Sequence, residues 1–393
     1  RHLRLEVKER IMADGSVLTP LDESSARAAI TRLKDARVEA VAICLLHAYR
    51  NPAHERALKD LCVELLPAVP VSCSSEVVPE IREYERTSTT CANVYVMPLM
   101  SRYLDDLERK LQDLGVPGHF YIMLSAGGIA TPETAKRVPI RLVESGPAAG
   151  ALAAARMARE LGEPKLLSFD MGGTTAKACV IDGGEPLLAR EFEVARADRF
   201  KKGSGLPIRV PCIELIEIGA GGGSLARVDR MGLLKVGPES AGADPGPACY
   251  AQGGQVPTVT DADLLLGYLD PGFFLGGRMR LDVDAARRAV EEKIAGPMGL
   301  SLTEAAWGIH RVVNENMAGA ARVHGIERGK DLRAYPLFAF GGAGPVHAWE
   351  VGRILKVPRV LVPFGAGAMS AYGLLAAPPA KGGPTRAAVI LLT

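Results

Sequence analysis

Three glycine-rich stretches, each at the exit of an apolar run, constrain this chain more than any other feature. Leu166-Leu-Ser-Phe169 runs into Asp170-Met-Gly-Gly-Thr-Thr175, Ile213-Glu-Leu-Ile-Glu-Ile218 into Gly219-Ala-Gly-Gly-Gly-Ser224, and Tyr335-Pro-Leu-Phe-Ala-Phe340 into Gly341-Gly-Ala-Gly-Pro345. Glycine lets the backbone come close to a phosphate or an adenine face, and exposed N–H groups in such turns form anion-binding hollows. One such turn alone is ordinarily a hairpin. The first, however, carries Asp170 at its entry and Thr174 and Thr175 at its exit, residue types that hold Mg²⁺ through water and donate hydroxyls to phosphate oxygens. It therefore reads as a phosphate loop between two strands, Leu166–Phe169 and Ala176–Ile181.

The rest of the chain has an α/β rhythm. Thr19 as cap with Pro20 behind it starts a helix to about Ala36, and Val38–Leu46 suits a buried strand. Asn51-Pro52 opens a second helix to Leu66, and Val69–Ser74 is a short strand. A long helix follows from about Arg86, with Leu99, Tyr103, Leu107 and Leu111 as its apolar stripe and Gly115 as its end. Further helices are expected over about 145–161, 283–294, 303–326 and 345–355. No internal repeat is present.

Composition excludes several classes. The chain has 393 residues with 47 Lys+Arg against 45 Asp+Glu, a formal charge of +2, which gives no electrostatic footprint for nucleic acid or an anionic membrane. No apolar run approaches the roughly 18 residues that span a bilayer. Seven scattered Cys without a C-x-x-C pair favour reduced thiols in a cytoplasm. His54-Glu55 does not complete H-E-x-x-H because position 58 is Leu, and spacing reveals no metal site.

Competing motifs fail. G-x-x-x-x-G-K-[ST] does not occur, Gly219-Ala-Gly221 is followed by Ser224 where G-x-G-x-x-G needs Gly, and Gly237-Pro-Glu-Ser240 has one residue too many for a nucleophile elbow. Glu214 and Glu217 would face opposite sides of a strand, so one at most is directed at a given ligand; it either orients Mg²⁺-bound water or is an exposed structural carboxylate. Arg196, Arg199, Lys201 and Lys202 form the one tight basic cluster, read as a solvated loop with anion capture second. Cys249 has no His nearby in sequence to activate it and reads as a buried structural thiol, and His347 as a helix residue.

Taken together, Tyr84-Glu-Arg-Thr-Ser-Thr-Thr90, Glu144-Ser-Gly-Pro147, Ser168-Phe-Asp-Met-Gly-Gly-Thr174, Glu217-Ile-Gly-Ala-Gly-Gly-Gly-Ser224, Ser240-Ala-Gly-Ala-Asp-Pro-Gly-Pro-Ala-Cys-Tyr250 and Ala339-Phe-Gly-Gly-Ala-Gly-Pro345 resemble the hydantoinase A and 5-oxoprolinase family, which includes acetone-type carboxylase subunits. The resemblance covers almost the whole chain. It implies an α/β fold of the actin-like ATPase class, two RNase-H-like halves closing on a nucleotide, with the first half truncated at the N-terminus because an earlier D-x-G-G-T loop is absent. Residues 1–83 would be the C-terminal part of the family's N-terminal region, 84–393 the hydantoinase A/oxoprolinase domain, and the second half would start near 165. Truncation would leave Val41 to Leu46 without partner strands. Where many members carry an acidic residue after the phosphate turn, this chain has Lys177.

The resemblance further implies ATP and Mg²⁺ as cofactors and ATP-dependent opening of a cyclic amide of the hydantoin, N-methylhydantoin or 5-oxoproline class. Asp170 and Glu217 would be catalytic, with Asp170 also the metal ligand. Gly172, Gly173, Thr174, Thr175, Gly221, Gly222, Gly341, Gly342 and Gly344 would bind the nucleotide. A hydantoinase B-like subunit is the implied partner in an oligomer. An ATP-activating carboxylase subunit and a non-enzymatic ATP-driven switch of the Hsp70 class are the alternatives, and the fragment alone is expected to be inactive.

Overall fold

The computed structural model describes residues 2–195, 197 and 203–380, so Arg196, Arg199, Lys201 and Lys202 of the basic cluster lie outside the described residues. The chain divides into two compact units, one of residues 1–148, 188–212 and 377–393, the other of 149–187 and 213–376.

In the first unit, helix α1 (Glu23–Asp35) is followed by β1 (Val41–Ile43), α2 (Ala53–Leu65) and β2 (Val71–Cys73), and β1 and β2 pair in parallel. The helix cap is Asp22, not Thr19: the Asp22 carboxylate accepts from the Ser25 N–H at 3.1 Å, while Val17–Thr19 is spent in a short strand. Val41 and Ile43 are buried with Ala26, Ile30 and Leu58 in a small core of their own, and β2 is their partner strand, contrary to the expectation of a bare apolar segment. The long helix α3 (Glu83–Asp113) buries Val94, Met97 and Leu104 together with Thr90 and Asn93. The expected stripe is displaced: Leu99 and Tyr103 are 64% and 57% exposed. The face is chosen by its neighbours, since Asn93 donates to Arg137 O at 3.2 Å and accepts from the Ile140 N–H at 3.1 Å.

The second unit is built on one six-stranded sheet. Helix α4 (Ser145–Glu160) leads to β3 (Lys165–Met171), β4 (Ala176–Asp182), β5 (Ile216–Ile218) and the ribbon β6 (Ser224–Val228) with β7 (Leu234–Ser240). Then come α5 (Val259–Leu265), α6 (Val283–Val290), α7 (Leu302–Glu327), β8 (Leu337–Phe340), α8 (Gly344–Leu355), β9 (Val360–Leu361) and α9 (Met369–Ala376). The sheet order is β5-β4-β3-β8-β9, with the two residues Glu185–Pro186 paired to β4. β3 runs antiparallel to β4, which is antiparallel to β5, whereas β3, β8 and β9 are mutually parallel neighbours.

β3 and β8 sit at the centre of the sheet, and their near-continuous apolar sequence matches burial on both faces: Leu166, Leu167, Phe169, Leu337, Phe338, Ala339 and Phe340 are all buried. One face packs on α7 through Ile309, Val313 and Met317 and on α8 through Ala348 and Val351. At roughly 1.5–3 kcal/mol per fully buried large apolar side chain, this core dominates the unit's stability. The strand order also sends β3, β5 and β8 into their glycine turns at neighbouring positions, which positions the candidate site.

Candidate functional site

The three glycine turns, separated by scores of residues in sequence, form one hydrogen-bonded assembly in the second unit. The first turn, Gly172–Thr175, is closed by a bond from the Gly172 N–H to Thr175 O at 3.0 Å. The second turn lies behind it: the N–H groups of Gly222 and Gly223 donate to Gly172 O at 3.1 Å and Gly173 O at 2.6 Å. Gly221 approaches so closely that a Cβ there would sit 2.6 Å from the Thr174 backbone, which explains a glycine at that position. Thr260 fixes the second turn from below, donating to Gly222 O from its N–H at 2.7 Å and its hydroxyl at 2.8 Å. The third turn, Gly341–Gly344, is tied to the first by the Ala343 N–H, which donates to Met171 O at 2.9 Å.

These turns leave an exposed rim. Gly173, Thr174 and Gly342 are exposed, and the N–H groups of Gly173, Thr174, Thr175 and Gly342 have no partner among the described residues. No atom lies within 4 Å of a Cβ built on Gly172, Gly173 or Gly342, so the space above them is open. Gly344 is buried at the start of α8, whose positive N-terminal end adds to the same rim. Gly221 and Gly222 are different: both are buried and the Gly222 N–H is spent on Gly172, so they shape the first turn from behind.

One rung of the sheet supplies the charges. Phe340, Asp170, Lys177 and Glu217 are consecutive register partners across β8, β3, β4 and β5, and directly opposed residues share a face. The Lys177 ammonium donates to Thr175 Oγ1 at 2.8 Å and lies 3.2 Å from Glu217 Oε1. Asp170 is half-buried; burial pushes its carboxyl above the usual range, while the Lys177 ammonium and the Ser370 hydroxyl pull it back. Glu217 is thus the acidic residue on the site's side of β5, and Glu214 is ion-paired to Arg328. Lys177 is the residue of this rung that spacing alone does not reveal, because its partners are visible only from the strand register.

The remaining candidates are structural. Cys249 is fully buried, burial and the neighbouring Asp261 push its thiol far up, and its N–H donates to Asp261 Oδ1 at 2.7 Å. His347 is fully buried in α8.

The pattern of the hydantoinase/oxoprolinase family matches residues 86–381, and that of the hydantoinase/oxoprolinase N-terminal region matches residues 1–66. An uncharacterized protein of Methanocaldococcus jannaschii is 45% identical over 380 residues, which is 96% of this chain and 56% of that protein. The caprolactamase subunit alpha of Pseudomonas jessenii is 40% identical over 373 residues, 95% of this chain and 52% of that one. The crystal structure of ATP-dependent caprolactamase from the same organism superposes with a TM-score of 0.79, again covering 95% and 52% of the two chains. Nucleotide-free acetone carboxylase, which carries out ATP-dependent acetone carboxylation, also gives 0.79 at 31% identity over 93% of this chain and 51% of that one. The chain spans about half the length of these curated relatives. Among the described residues no helix is long and apolar enough to cross a membrane. The fold is α/β, of the actin-like ATPase class with an RNase-H-like sheet, and the chain belongs to the hydantoinase/oxoprolinase family.

Proposed function

We propose that this chain carries the ATP-handling site of an enzyme that opens a cyclic amide of the hydantoin, N-methylhydantoin or 5-oxoproline class by phosphorylating the amide oxygen. The observation behind this reading is the meeting of three glycine turns with unpartnered N–H groups beside a half-buried Asp170. A lactam carbonyl is a poor electrophile; transfer of the terminal phosphoryl group of ATP to its oxygen, with release of ADP, would give an imidate phosphate whose carbon water attacks, after which the C–N bond breaks with the amine as leaving group and a second water releases phosphate from the resulting acyl phosphate. The N–H groups of Gly173, Thr174 and Thr175 would hold phosphate oxygens, with the Thr174 and Thr175 hydroxyls as two further donors. Gly341, Gly342 and Gly344 form the adenosine side, where absence of side chains admits a flat ring.

Asp170 suits a divalent cation such as Mg²⁺. A carboxylate that burial drives toward its neutral form is held as an anion when positive charge arrives beside it. Lys177 keeps Thr175 in place and balances Asp170, and Glu217 holds Lys177 from the far side. Gly221 and Gly222 support the phosphate turn from behind.

Relatives described as subunits of caprolactamase, acetone carboxylase and acetophenone carboxylase favour a heteromeric assembly, with a hydantoinase B-like partner for the hydrolytic step. The equal structural likeness to acetone carboxylase keeps a second reading, activation of a ketone for carboxylation. The test uses the full-length protein with its partner subunit. ATP-dependent opening of hydantoin or 5-oxoproline is the expected result; bicarbonate-dependent ketone consumption without ring opening would replace it with the second reading.

A further inference from the structure

Behind the glycine turns, three helices bring together Asp263 of α5, His310 and Asn314 of α7 and His347 of α8, each no more than 4% exposed. His310 Nδ1 lies 2.8 Å from Asp263 Oδ1, and His347 Nε2 lies 3.1 Å from Asp263 Oδ2. The two imidazoles stack at 4.8 Å with their planes 20° apart. We infer that Asp263, His310 and His347 form a structural site for a divalent d-block cation of the zinc class.

The key atom is His347 Nε2. Its ring partner Nδ1 is 2.9 Å from Asn314 Oδ1; with the amide in this orientation, its oxygen accepts and Nδ1 carries the proton, while Asn314 Nδ2 is itself buried without a partner. In the neutral ring this leaves a lone pair on Nε2, buried, facing a carboxylate oxygen and making no aligned hydrogen bond. Two electron-rich atoms so close in a dry interior repel unless positive charge lies between them. A cation off the N···O line meets both, where a proton would have to lie along it.

The rest of the surroundings agree. One ligand atom from each residue lies within 4.8 Å of the others, so modest adjustment brings all three to one ion. Two imidazoles and a carboxylate are the donor set that zinc accepts, with bond lengths of about 2.0–2.2 Å. Asn314 supplies the outer hydrogen bond that fixes a ligating histidine's tautomer. No Lys or Arg pairs with Asp263 among the described residues, and the rings facing His310 from the other sides are Trp307 and Tyr268. Glu350, which interacts electrostatically with His310, is itself a carboxylate and is paired to Arg353 at 2.6 Å, with Arg311 also beside it. The cluster is therefore short of positive charge. Its position also gives such an ion a structural role. Thr260, which holds Gly222, belongs to α5, and α8 begins at Gly344, so an ion here braces two of the three turns.

This inference stands apart from the nucleotide reading, and its test uses no nucleotide. The full chain, stripped with a chelator, is titrated with Co²⁺ while visible d–d absorption and thermal midpoint are followed. One Co²⁺ per chain with low-coordinate d–d bands and a raised midpoint is expected. His347→Gln should abolish the bands, Asn314→Ala should weaken affinity roughly 10–100-fold, and Asp170→Asn should leave the bands and the Co²⁺ affinity unchanged. Should His347→Gln fail to fold, wild type and Asn314→Ala decide the matter. Failure of the wild-type chain to take up Co²⁺ or Zn²⁺, or uptake that survives His347→Gln or is lost in Asp170→Asn, would overturn the site.

Discussion

Gly341 lies directly over the carboxylate of Asp170: a Cβ built on it would fall 2.4 Å from Asp170 Oδ1 and 2.4 Å from Met171 O. Asp170 and Phe340 are register partners on parallel strands, so the residue after Phe340 must turn sharply, and Gly341 does so at a φ of +86°. The acid of the first turn and the opening residue of the third are thereby fixed against each other.

Two neighbouring glycines should accordingly behave differently. Gly341→Ala meets both the strained φ and the close contact, and should cost about 1–3 kcal/mol of stability. Gly342→Val meets nothing within 4 Å and should leave thermal stability near wild type, while raising the Michaelis constant for ATP far more than that for the cyclic substrate. Thermal unfolding and steady-state kinetics on both variants check the pair; equal loss of stability in the two would contradict it.

The raised carboxyl of Asp170 has a sign. A group whose folded pKa exceeds its unfolded value contributes stability below the unfolded pKa, and that stability is lost as pH rises through the folded one. Asp170→Asn should therefore raise the thermal midpoint of the ligand-free protein at neutral pH, with the gain vanishing below the ordinary carboxylate range. Removing the neighbouring ammonium in Lys177→Met should move the wild-type loss of stability to higher pH, because Lys177 lowers the Asp170 pKa. Thermal midpoints measured across acid and neutral pH test both; a midpoint lowered by Asp170→Asn at neutral pH would exclude the assignment.

On α3, Leu104 is 2% exposed and Leu99 64%. Leu104→Ala should cost about 2–5 kcal/mol, and Leu99→Ala should stay within roughly 0.5 kcal/mol of wild type. Denaturant unfolding distinguishes them, and the reverse order would restore the stripe expected from sequence.

Sequence reveals what local chemistry determines. β3, β4 and β8 are short apolar runs bounded by glycine, and their turns follow from Asp170, Gly172, Gly341 and their neighbours without any long-range information. The face of α3 cannot be read this way, because Asn93 and Met97 are drawn inward by partners such as Arg137, Ile140 and Ser72. The cap of α1 is ambiguous locally because Thr19, Asp22 and Ser25 are all competent polar residues, and only the strand at Val17–Thr19 decides among them. Lys177 acquires meaning from the register that sets it between Asp170 and Glu217. Asp263 and His310 are 47 residues apart on separate helices, beyond any spacing rule.

On the proposed function, the three glycine turns form one nucleotide site. Calorimetric titration of the full-length protein with Mg-ATP, alongside Gly342→Val with its thermal midpoint checked, tests it most directly. Saturable binding by wild type is expected, with at least about tenfold weaker binding by Gly342→Val, a loss of roughly 1.4 kcal/mol, and an unchanged midpoint. Wild-type affinity retained in Gly342→Val, or no binding by the wild-type protein, would contradict it.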